Sequence, residues 1–79
     1  MTTYSENPFT LNETYIDLSQ NTILTSDITI TANNYFTFIQ DDITFDGQGY
    51  TITIDEVTSF TGLFKNGTGS NAYSNITIK

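Results

Sequence analysis

The sequence contains no cysteine, no histidine and no arginine, and its only basic side chains are Lys65 and Lys79. Without cysteine, neither a disulfide framework nor a thiolate metal site can support the small core of a 79-residue chain. The nine acidic residues give a net charge of −7, which disfavours binding to nucleic acid and to anionic membranes. No run approaches the roughly 20 apolar residues of a membrane span, and the N-terminus lacks a signal-peptide pattern.

Apolar residues alternate with polar ones at period two, and no helical period of useful length is present. Such alternation predicts short strands whose neighbouring side chains take opposite faces. Turn-rich pieces such as "QDD", "DGQG" and "KNGTGSNAYSN" separate the runs. The sequence therefore predicts an all-β fold with strands at residues 14–18, 22–25, 27–31, 35–40, 43–45, 50–54, 62–65 and 75–79.

One similarity between two segments of the sequence favours a solenoid over a sandwich or a barrel. "DITFDG" at 42–47 resembles "NITIK" at 75–79, which places Ile43 and Ile76 33 residues apart. Two predicted strands lie within this interval, so we interpret it as one three-sided coil and the chain as about two coils. The expected inward set is Ile28, Ile30, Phe36, Phe38, Ile43, Phe45, Tyr50, Ile52, Ile54, Ile76 and Ile78, and the expected outward set is Thr29, Thr31, Thr37, Thr44, Thr51, Thr53 and Thr77.

The "DGQG" stretch is expected at a corner between two faces of the solenoid. A positive φ or a close approach of the next coil would penalise a Cβ at Gly47 or Gly49. The carboxylate of Asp46 is expected to accept a hydrogen bond from the backbone of the same turn.

The stretch "DDITFDGQGYTITID…FTGLFKN…YSNITIK" resembles the opening coils of right-handed parallel β-helix proteins of the pectate-lyase-like superfamily. The recurring pattern of that family is an apolar-Thr-apolar strand, then Asp-Gly-x-Gly, then a strand containing Thr-Ile. The resemblance implies a right-handed parallel β-helix, with residues 1–13 as an N-terminal cap or lead-in and residues 14–79 as coils. Secreted, cell-surface and large-virus proteins carry similar lead-ins, so it also implies an extracellular, cell-surface or virion-surface location.

The acidic residues raise the questions of catalysis and of metal binding. Lyases of the resembled superfamily use carboxylates that hold calcium together with a basic residue, and its hydrolases use clustered aspartates. Here the acids fall in predicted turns and no histidine or arginine can act as a base, so we expect no enzyme and no catalytic residue. Oxygen ligands from Asp41, Asp42 and Asp46 would suit Ca²⁺, but no EF-hand loop is present, and no cofactor is expected.

Three surface features have both a functional and an ordinary interpretation. The pairs Thr29/Thr31 and Thr51/Thr53 would suit an ice-binding face, but threonine is a common outward residue of strands. Tyr35 is the aromatic residue whose parity clearly points outward, so it is the candidate for contact with a glycan, although aromatic residues more often fill a core. Among the triplets "NET", "NGT" and "NIT", the second makes Asn66 the most accessible glycosylation candidate.

The last predicted strand, with Asn75, Ile76, Thr77 and Ile78, has no capping segment after it in the sequence. Unpaired N–H and C=O groups at the end of a solenoid invite pairing with another chain. We therefore expect either a fragment or a coil completed by another chain. The favoured function is a non-enzymatic structural segment of a viral particle, fibre or cell-surface protein, joined edge-on in a homo-oligomer or larger assembly. The alternative is a carbohydrate-binding or carbohydrate-cleaving β-helix fragment.

Overall fold

The computed structural model describes all residues from Met1 to Lys79 and contains only strands, turns and irregular segments. Every strand pairs in parallel with its neighbours. There is no helix, and hence no helix long and apolar enough to cross a membrane. The strands are β1 (Thr2–Tyr4), β2 (Tyr15–Leu18), β3 (Thr22–Leu24), β4 (Ile28–Ile30), β5 (Tyr35–Phe38), β6 (Thr44–Asp46), β7 (Thr51–Ile54), β8 (Phe64–Lys65), β9 (Ala72–Ser74) and β10 (Thr77–Ile78).

The strands form three sheets that run along one axis. Sheet A has the order β1-β3-β6-β9, sheet B has the order β2-β5-β8, and sheet C has the order β4-β7-β10. The chain passes through B, A and C in turn, so strands that are neighbours in a sheet come from successive coils. The molecule is a parallel β-solenoid of about three turns, which confirms the predicted fold class. Its right-handed winding stays a prediction, in line with the usual hand of parallel crossovers.

The number of coils exceeds the expected two. The first coil is β2–β4, the second is β5–β7 and the third is β8–β10, and β1 adds a further strand to sheet A ahead of the first coil. Two strands, β1 and β9, lie where no strand was predicted. The side chains of β9 are all exposed, so main-chain pairing with β6 defines this strand and no apolar alternation marks it.

The prediction that one coil spans the 33 residues between Ile43 and Ile76 is wrong. By the observed registers Ile76 lies beside Tyr50, whereas Ile43 lies beside Asn71, at a different corner of the coil. Paired residues are 20 apart between β2 and β5 and 28 apart between β6 and β9. Apolar-Thr-apolar motifs recur on more than one side of the coil, so a likeness between two of them does not fix which positions stack.

The core runs along the inside of the coils and consists of eleven buried apolar side chains: Phe9, Leu18, Leu24, Ile28, Ile30, Phe36, Phe38, Ile43, Phe45, Ile52 and Leu63. Seven of these belong to the predicted inward set, and two more members of that set, Ile54 and Ile76, are packed against the core. Tyr50 and Ile78 were also predicted inward, but they are 36 % and 40 % exposed. Among the threonines predicted outward, Thr37 is the exception, because it is 5 % exposed in the middle strand of sheet B.

The corner at "DGQG" confirms the roles predicted for its residues. A Cβ on Gly47 would lie 2.6 Å from the Cβ of Ile76 and 2.7 Å from the backbone oxygen of Asn75, so the next coil leaves no room for a side chain. Gly49 has a φ of 83°, which glycine adopts without steric cost. The Oδ1 atom of Asp46 accepts a hydrogen bond from the N–H of Gln48 at 2.9 Å.

Candidate functional site

The third coil presents three sheet edges on one end of the molecule. β8, β9 and β10 are each the terminal strand of their sheet and pair on one side only. In and next to β10, the N–H groups of Thr77 and Lys79 donate to the backbone oxygens of Tyr50 and Ile52 in the second coil. Since successive residues of a strand turn their main-chain groups to opposite sides, the N–H and C=O of Ile78 point to the open side.

The same alternation applies in the other two sheets. In sheet A, the backbone oxygen of Ser74 accepts from Gly47 and the N–H of Ala72 donates to Ile43, so the main chain of Tyr73 faces outward. In sheet B, the backbone oxygen of Leu63 accepts from Phe36, so the main chain of Phe64 faces outward. Each of the three sheets therefore offers a hydrogen-bonding edge at this end.

Apolar side chains are exposed next to these sheet edges. Tyr73 is 52 % exposed, and its ring stacks on that of Phe64 at a centroid distance of 4.4 Å. A cavity of about 330 Å³ opens beside this pair, where the chain passes from sheet B to sheet A, and it is lined by Phe38, Phe64, Gly67, Thr68, Asn71, Ala72 and Tyr73. An end with free edges and exposed aromatic and aliphatic side chains is suited to receive another β-structure.

At the opposite end of the solenoid β1, β2 and β4 are the terminal strands of their sheets, and part of the N-terminal segment packs against the core. β1 pairs along β3, and the ring of the buried Phe9 lies 4.9 Å from that of Phe36. Tyr4 stacks on Phe36 as well, and burial, reinforced by the Glu13 carboxylate, raises the pKa of its hydroxyl. The two ends of the molecule therefore differ in kind, because one has a segment packed against its core and the other does not.

The acidic residues do not converge on a cleft. Asp41 and Asp42 lie between β5 and β6, Asp46 ends β6, and Asp55 and Glu56 follow β7, so they occupy three different corners of the second coil. No group of three acidic side chains is placed to hold a metal ion. Individual oxygens serve local structure instead: the Oδ1 of Asp41 accepts a hydrogen bond from Thr68, and the Oδ1 of Asp46 accepts one from Asn75.

The outer face of sheet B carries the glycan candidate Tyr35. Its ring stacks on Tyr15 at 5.6 Å with an angle of 18°, and the Nζ of Lys65 lies 4.0 Å from the ring centroid. Because β5 is the middle strand, Tyr15 and Lys65 approach the ring from opposite sides. The ring face left free for a sugar therefore belongs to Tyr15, which is 49 % exposed.

The remaining candidates lie in the third coil. Asn66 is exposed, has a φ of 60° and begins the turn between β8 and β9, so its side chain is accessible in the triplet "NGT". Asn75, Ile76, Thr77 and Ile78 lie in or next to β10, at the edge of sheet C. Sequence reasoning missed Tyr73 as part of this end, since β9 has no alternating pattern, and it missed Tyr15 as the ring beside Tyr35.

No protein-family model matches the sequence, and no curated protein or solved structure matches it significantly.

Proposed function

We propose that this chain is a non-enzymatic structural segment that joins further β-structure through its third coil. The observation that carries the proposal is that β8, β9 and β10 end all three sheets where Tyr73 and Ile78 are exposed, whereas at the other end Tyr4 and Phe9 pack against the core. Edges of this kind pair with other strands wherever nothing blocks them. The scattered positions of the acidic residues, at three corners, favour a structural role over hydrolysis or elimination chemistry.

In this proposal, joining proceeds by addition of strands. A partner strand beside β10 would bond to the N–H and C=O of Ile78, and strands beside β8 and β9 would bond to the main chains of Phe64 and Tyr73. Main-chain hydrogen bonds then supply affinity, while the apolar side chains at the edge are covered. Residues 1–13 act as a cap at the other end only over the core, where Phe9 is buried, and in sheet A, where β1 holds the edge of β3.

The wider setting is part of the same proposal. The three-sided parallel coil is compatible with kinship to pectate-lyase-like β-helices. A stacked solenoid would suit a fibre, a viral particle or a cell-surface protein outside the cell. The net charge of −7 favours solubility of such a segment before it assembles.

Substitution of Ile78 by proline tests this proposal. Proline removes an N–H that faces the open side and leaves the bonds of Thr77 and Lys79 to the second coil in place. We expect the wild-type chain to form oligomers or filaments with rising concentration in light scattering, and I78P to stay monomeric. I78V keeps the N–H and is the matched control. A wild-type chain that stays a folded monomer, or I78P that associates as well as I78V does, would contradict the proposal.

A second candidate function is carbohydrate binding on the outer face of sheet B. The observation that favours it is the exposed Tyr15 ring, which lies on the outer face of β2 together with Asp17. Aromatic rings stack on the apolar faces of sugars, and carboxylates accept hydrogen bonds from their hydroxyls. Glycan-array binding that is lost in Y15A and kept in Y73A would support this function, and a blank array would exclude it.

A further inference from the structure

The two ends of the molecule match each other in sheet B. The observed register places Asp17, Thr37 and Lys65 side by side across β2, β5 and β8, and Ile16, Phe36 and Phe64 likewise. If β2 of a second copy continued this register beside β8, its Asp17 would lie beside Lys65. Its Ile16 would lie beside Phe64 on the inner side. Opposite charges directly across a pair of strands stabilise the pairing.

Sheet C matches in the same way. β4, β7 and β10 place Ile28, Ile52 and Ile78 side by side. Continuation of this register by β4 of a second copy would place its Ile28 beside Ile78, which is 40 % exposed in the single chain. Its Asp27 would then lie beside Thr77, as Asp27 lies beside Thr51 within the molecule. An inner aliphatic row and an outer polar row would thus continue across the junction.

Charge is distributed along the axis in a way that favours this orientation. Residues 57–79 contain Lys65 and Lys79 and no acidic residue, whereas residues 1–30 contain Glu6, Glu13, Asp17 and Asp27 and no basic side chain. The third coil thus carries two positive side chains and the opposite end carries four negative ones. Juxtaposition of unlike ends is attractive, and juxtaposition of two third coils would bring like charges together.

Sheet A is the exception, because β1 already occupies the edge of β3 on that side. When a second copy stacks on the third coil, β9 of the first copy would reach the edge of β3 that β1 of the second copy holds. Both strands cannot pair with the same edge. β1 has three residues, and outside the ladder it is held by the bonds from Thr2 N–H to Asn21 O at 2.9 Å and from Thr25 N–H to Tyr4 O at 3.0 Å.

We propose that the partner of the third coil is the N-terminal end of a second copy of this chain, and that β1 is a displaceable strand that prevents this stacking until it leaves β3. The inference rests on the proposed function. It names the partner that the third coil joins and the strand whose release permits this joining. Joining unlike ends is a heterologous contact, so repeated stacking gives an open filament. Release of β1 also removes the Tyr4 ring from Phe36, which links the opening of sheet A to a partial uncovering of the core.

A disulfide between β1 and β3 tests directly whether β1 must leave β3 before two copies can stack. Thr3 pairs with Ile23 in the parallel register, and the chain has no other cysteine, so T3C/I23C can form one intended bond. We expect the oxidised variant to stay monomeric in light scattering at concentrations where the wild type associates. Reduction of the same sample should restore association to the level of the T3C single variant.

Charge-reversal substitutions of Asp17 and Lys65 test whether the N-terminal end of a second copy is the partner of the third coil. D17K should raise the concentration of half-association about tenfold, because it places two like charges across the junction. K65D should do the same alone, and an equimolar mixture of D17K and K65D should associate better than either variant by itself.

The outcomes separate the inference from the proposed function. Association that is abolished by I78P but unaffected by the disulfide or by D17K would overturn the inference and leave the proposed function in place. Association that is lost in the oxidised form and in D17K would support both. A chain that stays monomeric in the wild type and in reduced T3C/I23C would overturn both.

Discussion

Gly47 lies at a point of close contact between the second and third coils. A methyl group there would collide with the Ile76 side chain and with the backbone of Asn75, and backbone gives way less readily than the end of a side chain. We expect G47A to lower the free energy of unfolding by about 1–3 kcal/mol in urea titration. A Cβ added at Gly69 would meet no atom within 4 Å, so G69A is the control and should change it by less than about 0.5 kcal/mol. Equal effects of the two substitutions would contradict the close-contact explanation.

Tyr4 makes the folding stability of the chain depend on pH in the alkaline range. Burial, with the Glu13 carboxylate, raises the pKa of its hydroxyl in the folded state above the ordinary value. The resulting stabilisation is therefore complete below about pH 10 and is lost as the pH rises through the raised pKa, because the unfolded chain gives up its proton first. Y4F has no hydroxyl to ionise, so its thermal midpoint should fall less steeply above about pH 10 than that of the wild type. Parallel profiles of the two proteins would contradict this assignment.

At the scale of the strand, sheet B is stabilised by polar contacts on its outer face as well as by its core. The hydroxyl of Thr37 donates to the Asp17 carboxylate at 2.6 Å, and Thr37 is nearly inaccessible to solvent. We expect T37V to lower the free energy of unfolding by about 1 kcal/mol, because it leaves the carboxylate without this partner. T53V is the matched control, since Thr53 lies in the middle strand of sheet C and its hydroxyl makes no hydrogen bond within the chain. A T37V variant as stable as T53V would show that the contact contributes nothing.

The strands also show how far the sequence predicts the structure. All eight predicted strands exist with ends within two residues, because their alternating isoleucine, phenylalanine and threonine residues line an inside and an outside. β9 was missed because its side chains are all exposed and only its pairing with β6 makes it a strand. The coil period was missed for a related reason. Coil lengths differ from turn to turn, so stacking is set by main-chain registers between positions 20 to 28 residues apart, and a likeness of motifs does not reveal them.

The candidate site was predicted in part at the scale of single residues. Ile78 and its neighbours were expected at an edge from their position after the last turn, and Tyr35 was expected outward from its parity. The structure adds what spacing alone does not give, namely that Tyr15 and Lys65 cover both faces of the Tyr35 ring. It also brings Tyr73 beside Phe64 at the end of the core, although the two lie on different sheets.

For the whole molecule, the decisive feature is that Tyr4 and Phe9 pack against the core at one end, whereas Tyr73 and Ile78 are exposed on the terminal strands of the other. The main-chain groups of Phe64, Tyr73 and Ile78 face away from the second coil, so we expect their amide hydrogens to exchange rapidly with solvent in the single chain. Pairing through β8, β9 and β10 would protect the same few amides together.

Residue-resolved amide hydrogen exchange of the wild-type chain, followed over a range of concentrations, therefore tests the role of the third coil. We predict that the amides of Phe64, Tyr73 and Ile78 exchange rapidly in dilute solution and become protected as the concentration rises. The amide of Thr77, already bonded to Tyr50, should stay protected throughout and serves as the internal reference. Continued rapid exchange of all three amides in a concentrated or associated sample would contradict the claim that the third coil is where this protein joins its partner.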